Sequence, residues 1–223
     1  MVESIFTIIV PVYNGESYVE PFLQHFPAEY FPDLVFINDG STDRTMELLS
    51  SAGKGYTVIS HDRNYGKGKA LLTGIDHALS RGKTTIVTLD IDLQHQPELI
   101  PEFTTCSRHE IRLGYRKNRK GMPIHRQISN FLTSLLLTIR SNHVIKDSQC
   151  GYRSFPAQVR DDFPLWERGF QLESEILIRG CLLGYRITHI EIPTIYNREP
   201  SGMHPLRDTL KFIYLWFRSF LWT

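Results

Sequence analysis

Four short apolar runs, each stopped by turn-forming or polar residues, organise the first half of the chain. Ile5 to Val12 carries Pro11 near its end and is followed by Asn14-Gly15. Leu34 to Ile37 is stopped by Asn38-Asp39-Gly40. Tyr56 to Ser60 and the β-branched stretch Thr84 to Leu89 complete the set. Runs of this length, bounded by turn signals, fit strands covered on both faces. Between them the spacing predicts helices over Thr42 to Ser51, capped by Ser41 or Asp43, and over Lys69 to Leu79, where Leu71, Leu72, Ile75 and Leu79 share a face. Strands alternating with helices predict an α/β fold, a mostly parallel sheet flanked by helices. Ligands of such sheets sit beyond the carboxyl ends of the strands. The polar segments after the first, second and fourth runs are therefore the places to look.

The second half is less regular. Helices are expected over Pro123 to Arg140 and Gln171 to Leu183, and a strand over Arg186 to Ile192, closed by Pro193. Hydrophobic residues make up 41% of the 223, enough for a sizeable core and too many for a disordered chain. The formal net charge of +1 gives no general affinity for nucleic acid, so any basic site is local. Cys106, Cys150 and Cys181 are too widely spaced for a zinc motif and read as reduced, partly buried thiols. The start of the chain lacks a signal-peptide pattern, and no apolar run is long enough to span a bilayer. Residues 1–209 are expected to form one domain. Residues 210–223 read as an amphipathic helix, with Lys211, Tyr214 and Arg218 as a narrow polar stripe and Trp216 and Trp222 suited to a membrane interface. At ~20 Å such a helix cannot cross a ~30 Å hydrocarbon layer, so it lies on the surface or packs on the domain.

Thr88-Leu89-Asp90-Ile91-Asp92-Leu93-Gln94 carries the chemistry. In an extended chain alternate side chains share a face, so Asp90 and Asp92, with Gln94, converge where the fourth run ends. Paired carboxylates are hard oxygen ligands that suit Mg²⁺ or Mn²⁺ bridging to substrate phosphates; the plain alternative is a solvated acidic turn. Asn38 to Asp43 opens a helix whose amides can meet a polar ligand, or is ordinary cap chemistry. Asn64 to Ala70 is a glycine-rich basic loop, including Gly66 and Lys69, that matches neither a Walker loop nor a GxGxxG fingerprint. Arg112 to Arg126 is basic, without an acid, and reads as a loop leading into an apolar-faced helix containing Ile128, Phe131, Leu132, Leu135, Leu136 and Ile139. That combination suits anionic headgroups at a membrane surface; the plain alternative is a solvated basic loop followed by an ordinary core helix. The histidines, among them His61 and His95, share no ligand spacing and read as surface or core residues. Glu173 and Glu175 lie on a predicted helix, either within reach of the site or on an ordinary surface.

Pro-Val-Tyr-Asn, Asn-Asp-Gly-Ser-Thr-Asp, Asn-Tyr-Gly-Lys-Gly-Lys-Ala and Asp-x-Asp occur in an order and spacing that resembles the GT-A-fold, family 2 inverting glycosyltransferases. Gln149-Cys150-Gly151-Tyr152-Arg153 is similar to a stretch of the branch containing dolichol-phosphate mannose synthases and polyprenyl-phosphate glycosyltransferases. The resemblance covers nearly the whole chain and implies a Rossmann-like GT-A sheet. It further implies a nucleotide pocket lined by Pro11, Tyr13, Asn14, Glu16, Asp39, Gly66, Lys69 and Asp90. Asp90, Asp92 and Gln94 would hold Mg²⁺ or Mn²⁺, and Arg116, Arg126, Ser129 and Arg198 an acceptor phosphate; Asp90, Asp92, Arg116 and Arg126 would be the catalytic set. Two departures stand out. Asn38 occupies a position where many members carry Asp, and Ser201-Gly202-Met203-His204 stands where many relatives have Ser-Lys. The implied reaction moves a hexose from a GDP-mannose or UDP-glucose type donor to a polyprenyl or dolichyl phosphate, with inversion, by a protein peripheral on the cytoplasmic face of a membrane. A family 2 transferase acting on a polysaccharide or glycolipid hydroxyl, and a non-catalytic nucleotide-sugar-binding regulatory protein, are the alternatives.

Overall fold

The structure, a computed structural model, describes residues 4–51, 53, 55–118, 121–195 and 205–222. The four apolar runs form β1 (Phe6–Val12), β2 (Leu34–Asn38), β3 (Thr57–Ser60) and β4 (Thr85–Thr88), all parallel to one another. They belong to a seven-stranded sheet of order β3-β2-β1-β4-β6-β5-β7, in which β5 is Glu110–Arg116, β6 is Arg153–Pro156 and β7 is Arg186–Ile192. β6 runs antiparallel to both β4 and β5, while β5 and β7 pair in parallel. The sheet is mixed but mostly parallel, as the alternation requires.

Both faces are covered, so the strands are apolar on both sides. Alternation divides them. Ile9, Val35 and Ile37 point to one core with α3 (Lys67–Ser80) and α7 (Gln171–Leu182), whereas Ile8, Val10, Leu34 and Phe36 point to the other with α1 (Glu16–His25). α2 (Thr45–Ser51), α4 (Ile100–Thr104) and α6 (Val159–Asp162) are short connectors.

Two elements depart from the sequence reading. The basic stretch from Arg112 is not a loop throughout, because residues up to Arg116 belong to β5. There the Arg112 guanidinium is engaged by the Glu102 carbonyl, Thr105 and the Glu110 carboxylate, and parallel pairing with β7 runs the length of the strand. The basic connection is thereby confined to 117–123, within which Arg119 and Lys120 lie outside the described residues.

The following helix, α5 (Ile124–Ser141), is polar on its inner side and apolar on its outer side. Asn130, Ser134, Leu137 and Ser141 are buried, while Ile124, Ile128, Phe131, Leu132, Leu135 and Ile139 are exposed. The buried polar residues are satisfied internally. Asn130 Nδ2 donates to Asp147 (2.7 Å), and Ser134 and Ser148 exchange hydrogen bonds.

The C-terminal helix, α8, spans Pro205–Ser219. It begins before the expected boundary at 210, and it neither lies loose on a surface nor is wholly packed. Phe212 and Leu215 are buried, and Gln171 Nε2 donates to the Asp208 carbonyl. Leu210, Tyr214, Phe217, Phe220 and Leu221 are exposed. The two tryptophans expected at an interface turn inward. Trp216 donates its indole N–H to the Leu136 carbonyl (2.8 Å), and Trp222 lies under the Arg179 guanidinium (3.8 Å to the ring centre). Among the described residues no helix is long and apolar enough to cross a membrane.

Candidate active site

The site forms at the carboxyl ends of β1, β2 and β4. After β1 and β2 the chain makes two loops that hold each other. Asn14, in the left-handed region (φ 49°), accepts from the Thr42 amide (2.8 Å) and donates its own amide to Ser41 Oγ. Glu16 accepts from the Arg44 amide while its amide donates to Asp43. These side chains satisfy the orphan amides at the starts of α1 and α2. Pro11 pairs opposite Ile37 within the sheet, and Tyr13 stands exposed above it.

Asp39 is buried and its carboxylate is fully engaged. It accepts from the Tyr65 amide (3.0 Å), the Gly66 amide (2.7 Å) and His61 Nδ1 (2.7 Å). It therefore fixes the glycine-rich segment to the end of β2. Gly66 adopts φ 97°, and a Cβ there would lie 2.7 Å from the Arg168 carbonyl oxygen, so only glycine fits. α3 then starts with Lys67. The Lys67 ammonium enters the acidic cluster, 2.8 Å from Asp90 and 3.4 Å from Glu173. Lys69 contributes its backbone amide to the Arg168 carbonyl.

Beyond β4 the chain turns back at Leu93, a left-handed position (φ 61°), and the Gln94 amide donates to Asp92 (3.1 Å). The two aspartates are driven apart in acidity. Burial works to raise the Asp90 pKa, but the Lys67 ammonium overrides it and holds the carboxyl below its ordinary value. Burial, followed by the Asp90 charge, raises Asp92. His95 accepts from the Asp90 amide (3.2 Å) and is pushed down to about 4 by burial, which leaves it neutral.

This donor set fits a divalent cation. Two carboxylates on one turn supply hard ligands, and the raised pKa of Asp92 marks negative charge that a cation would relieve. Among the described residues no group of three or more His, Cys, Asp or Glu is placed to hold a metal ion. Any ion on these two carboxylates would therefore need water and phosphate oxygens for the rest of its shell.

Gln149 to Arg153 joins this turn to the basic edge. A Cβ on Gly151 would lie 2.1 Å from Asp90 Oδ2, and Thr88 donates to the Gly151 carbonyl. Gln149 Nε2 donates to Ser129 Oγ on α5 (3.1 Å). Arg153 is buried, bonded to the carbonyls of Cys150, Ser148 and Glu173. Arg116, at the end of β5, makes a two-pronged pair with the fully buried Asp147 (2.7 and 2.9 Å). Burial opposes the charge on each partner, and their pairing overrides it, raising Arg116 and lowering Asp147. Arg126 lies half-buried in the first turn of α5. Arg198 lies outside the described residues.

Sequence reasoning missed Lys67, Asp147 and His95 as members of this neighbourhood. Glu173 does reach it, whereas Glu175 faces inward to the Trp166 and Glu167 amides and to Arg179.

A doubly covered, mostly parallel sheet with a carboxylate turn beyond its central strands places this chain among α/β proteins that take ligands at the carboxyl ends of their strands. Residues 7–105 match the family model "Glycosyl transferase family 2". The chain is 30% identical to an uncharacterised protein of Methanocaldococcus jannaschii, over 93% of this chain and 98% of that one. It is 24% identical to the UDP-N-acetylglucosamine–dolichyl-phosphate N-acetylglucosaminyltransferase of Methanococcus voltae, over 88% of each chain. Its fold resembles glucosyl-3-phosphoglycerate synthase from Mycobacterium tuberculosis, solved with UDP, at a TM-score of 0.74 and 16% identity, covering 97% of this chain and 80% of that chain. The protein belongs to glycosyl transferase family 2: it is a glycosyltransferase with the GT-A fold.

Proposed function

We propose that the enzyme transfers a hexose from a nucleotide-sugar to a polyprenyl or dolichyl phosphate, with inversion, while seated on the cytoplasmic face of a membrane. The observation that carries this reading is the continuity of the site. Gly151 abuts Asp90 while Gln149 bonds Ser129, so one short segment joins the carboxylate turn to the helix bearing Arg126. The relative from Methanococcus voltae, named for a dolichyl-phosphate acceptor, supports the acceptor class. The apolar outer faces of α5 and α8 support seating on lipid.

In this reading an acceptor phosphate oxygen attacks the anomeric carbon as the bond to the nucleoside diphosphate breaks. The leaving diphosphate takes the bonding electrons. A phosphate monoester has a second pKa near ~6 and is largely ionised at neutral pH, so the acceptor needs no general base. Mg²⁺ or Mn²⁺, when held by Asp90, Asp92 and Gln94, supplies charge stabilisation for the departing diphosphate. Tyr13, Asn14, Glu16 and Asp39 shape the donor pocket, the last three through the loops they hold. Arg116, fixed by Asp147, and Arg126 with Ser129 orient the acceptor phosphate, and Arg198 adds to that set.

The test is transfer rate against polyprenyl-phosphate concentration at saturating nucleotide-sugar. Arg126→Ala should raise the acceptor requirement roughly ten- to a hundredfold, the loss of a charge-assisted contact of ~1.5–3 kcal/mol. Donor response should change far less. Equal transfer to a non-phosphorylated acceptor would instead favour the hydroxyl-acceptor alternative, which needs a carboxylate base. Absence of transfer or donor hydrolysis with every nucleotide-sugar would contradict the reading.

A further inference from the structure

Lys67 occupies the carboxylate cluster in a way that bears on how a cation enters it. Its ammonium lies 2.8 Å from Asp90 Oδ1 and 3.4 Å from both carboxylate oxygens of Glu173. The backbone on either side is tied down, by the Gly66 amide to Asp39 (2.7 Å) and by the Lys69 amide to the Arg168 carbonyl (2.9 Å). The charge is therefore tethered at the site by the first turn of α3. Glu173 has a second cation, Arg153, whose Nε is 3.7 Å away. Lys67 can thus leave Asp90 and remain beside Glu173 without losing every counter-charge.

We propose that Lys67 is a tethered counter-ion that keeps bare divalent cations off Asp90, so that the metal enters only together with a diphosphate. This rests on the reading that Asp90 and Asp92 hold the metal. A divalent ion arriving alone must displace the ammonium from Asp90 Oδ1 and then sit beside it, and like charges this close in a half-buried site repel strongly. A diphosphate brings negative charge that offsets both cations and gives the displaced ammonium a new partner. The consequence is a conditional site: donor and metal are taken up as one unit, and the empty enzyme does not sequester metal.

The experiment titrates the full-length protein with Mn²⁺, following free Mn²⁺ by electron paramagnetic resonance and binding by calorimetry. Wild type, Lys67→Met, Lys67→Gln and Glu173→Gln are compared without nucleotide and with UDP or GDP. Both Lys67 variants should bind Mn²⁺ at least about tenfold more tightly than wild type in the absence of nucleotide, because the repelling charge is gone. Nucleoside diphosphate should close most of that gap. Glu173→Gln keeps the ammonium on Asp90 and should not tighten bare Mn²⁺ binding, which separates loss of the counter-ion from loosening of the α3–α7 contact. Lys67→Gln, able to donate a hydrogen bond to Asp90, serves if Lys67→Met fails to fold. Unchanged bare Mn²⁺ affinity in the Lys67 variants, with nucleotide-dependent Mn²⁺ binding intact, overturns the proposal. Equal tightening in Glu173→Gln overturns it as well. No Mn²⁺ binding to wild type even with UDP or GDP removes the metal site itself, and the proposal with it.

Discussion

Gly151 and Asp90 approach so closely that the smallest added side chain, a methyl group, would lie 2.1 Å from the carboxylate. Asp90 cannot easily yield, because Lys67 holds it from the other side. Gly151→Ala should therefore depress transfer severely while costing ~1–3 kcal/mol of stability, the usual range for overpacking. Steady-state kinetics beside a thermal melt would check both. Asp147→Asn keeps the shape and removes the charge opposite Arg116 in a site with no exposure. Breaking a buried pair in this way should cost ~3–5 kcal/mol, read by denaturant unfolding. At this scale the sequence spoke unevenly. Asp90 and Asp92 were legible because a strand runs straight into them. Lys67 was not distinguishable from Lys69, since glycines flank Lys67 and periodicity cannot say which residue begins the helix. Asp147 was silent: an acid in a polar loop looks the same whether it meets solvent or a buried arginine.

Among the elements, β5 carries a pH dependence. Burial works to raise the pKa of Glu110, but the Thr188 hydroxyl, the Ser107 amide and Arg112 override it and lower it to about 2, from an ordinary 4.5. The folded carboxyl thus binds its proton less readily than the unfolded one. Its stabilisation is fully present above about pH 4.5 and is lost as pH falls toward about 2. Glu110→Gln should lower stability at neutral pH, and the difference from wild type should shrink across that acid window in denaturant titrations. α5 offers a contrast between its two sides. Phe131→Ser and Leu132→Ser alter exposed positions and should change unfolding free energy by no more than ~0.5 kcal/mol, yet reduce co-sedimentation with anionic liposomes. Leu137→Ala, at a fully buried position, should cost ~2–5 kcal/mol. The spacing of α5 announced the helix, but spacing alone cannot say whether an apolar stripe faces protein or surroundings. β6 left no readable pattern, because four residues, Arg-Ser-Phe-Pro, owe their extended form to strands on both sides.

For the molecule as a whole, the two cores on opposite faces of the sheet were written in the alternation of β1 and β2, and that part of the architecture followed directly from the sequence. The placement of β5, β6 and β7 did not, since their pairing joins residues far apart in the chain. Ligand linkage provides a global readout. A nucleoside diphosphate with Mn²⁺ at about a hundredfold excess over its dissociation constant should stabilise the fold by ~2.7 kcal/mol, and EDTA should remove most of the gain in a thermal-shift assay. Asp92→Ala should abolish the metal-dependent part. The lacing of Asn14 to Thr42 and of Glu16 to Arg44 has a further consequence for redesign. Each loop completes the helix start of the other, so exchanging one alone strands amides in its neighbour. Donor preference should therefore be transplantable only as a matched pair of segments, and natural drift in one is expected to be accompanied by compensating change in the other.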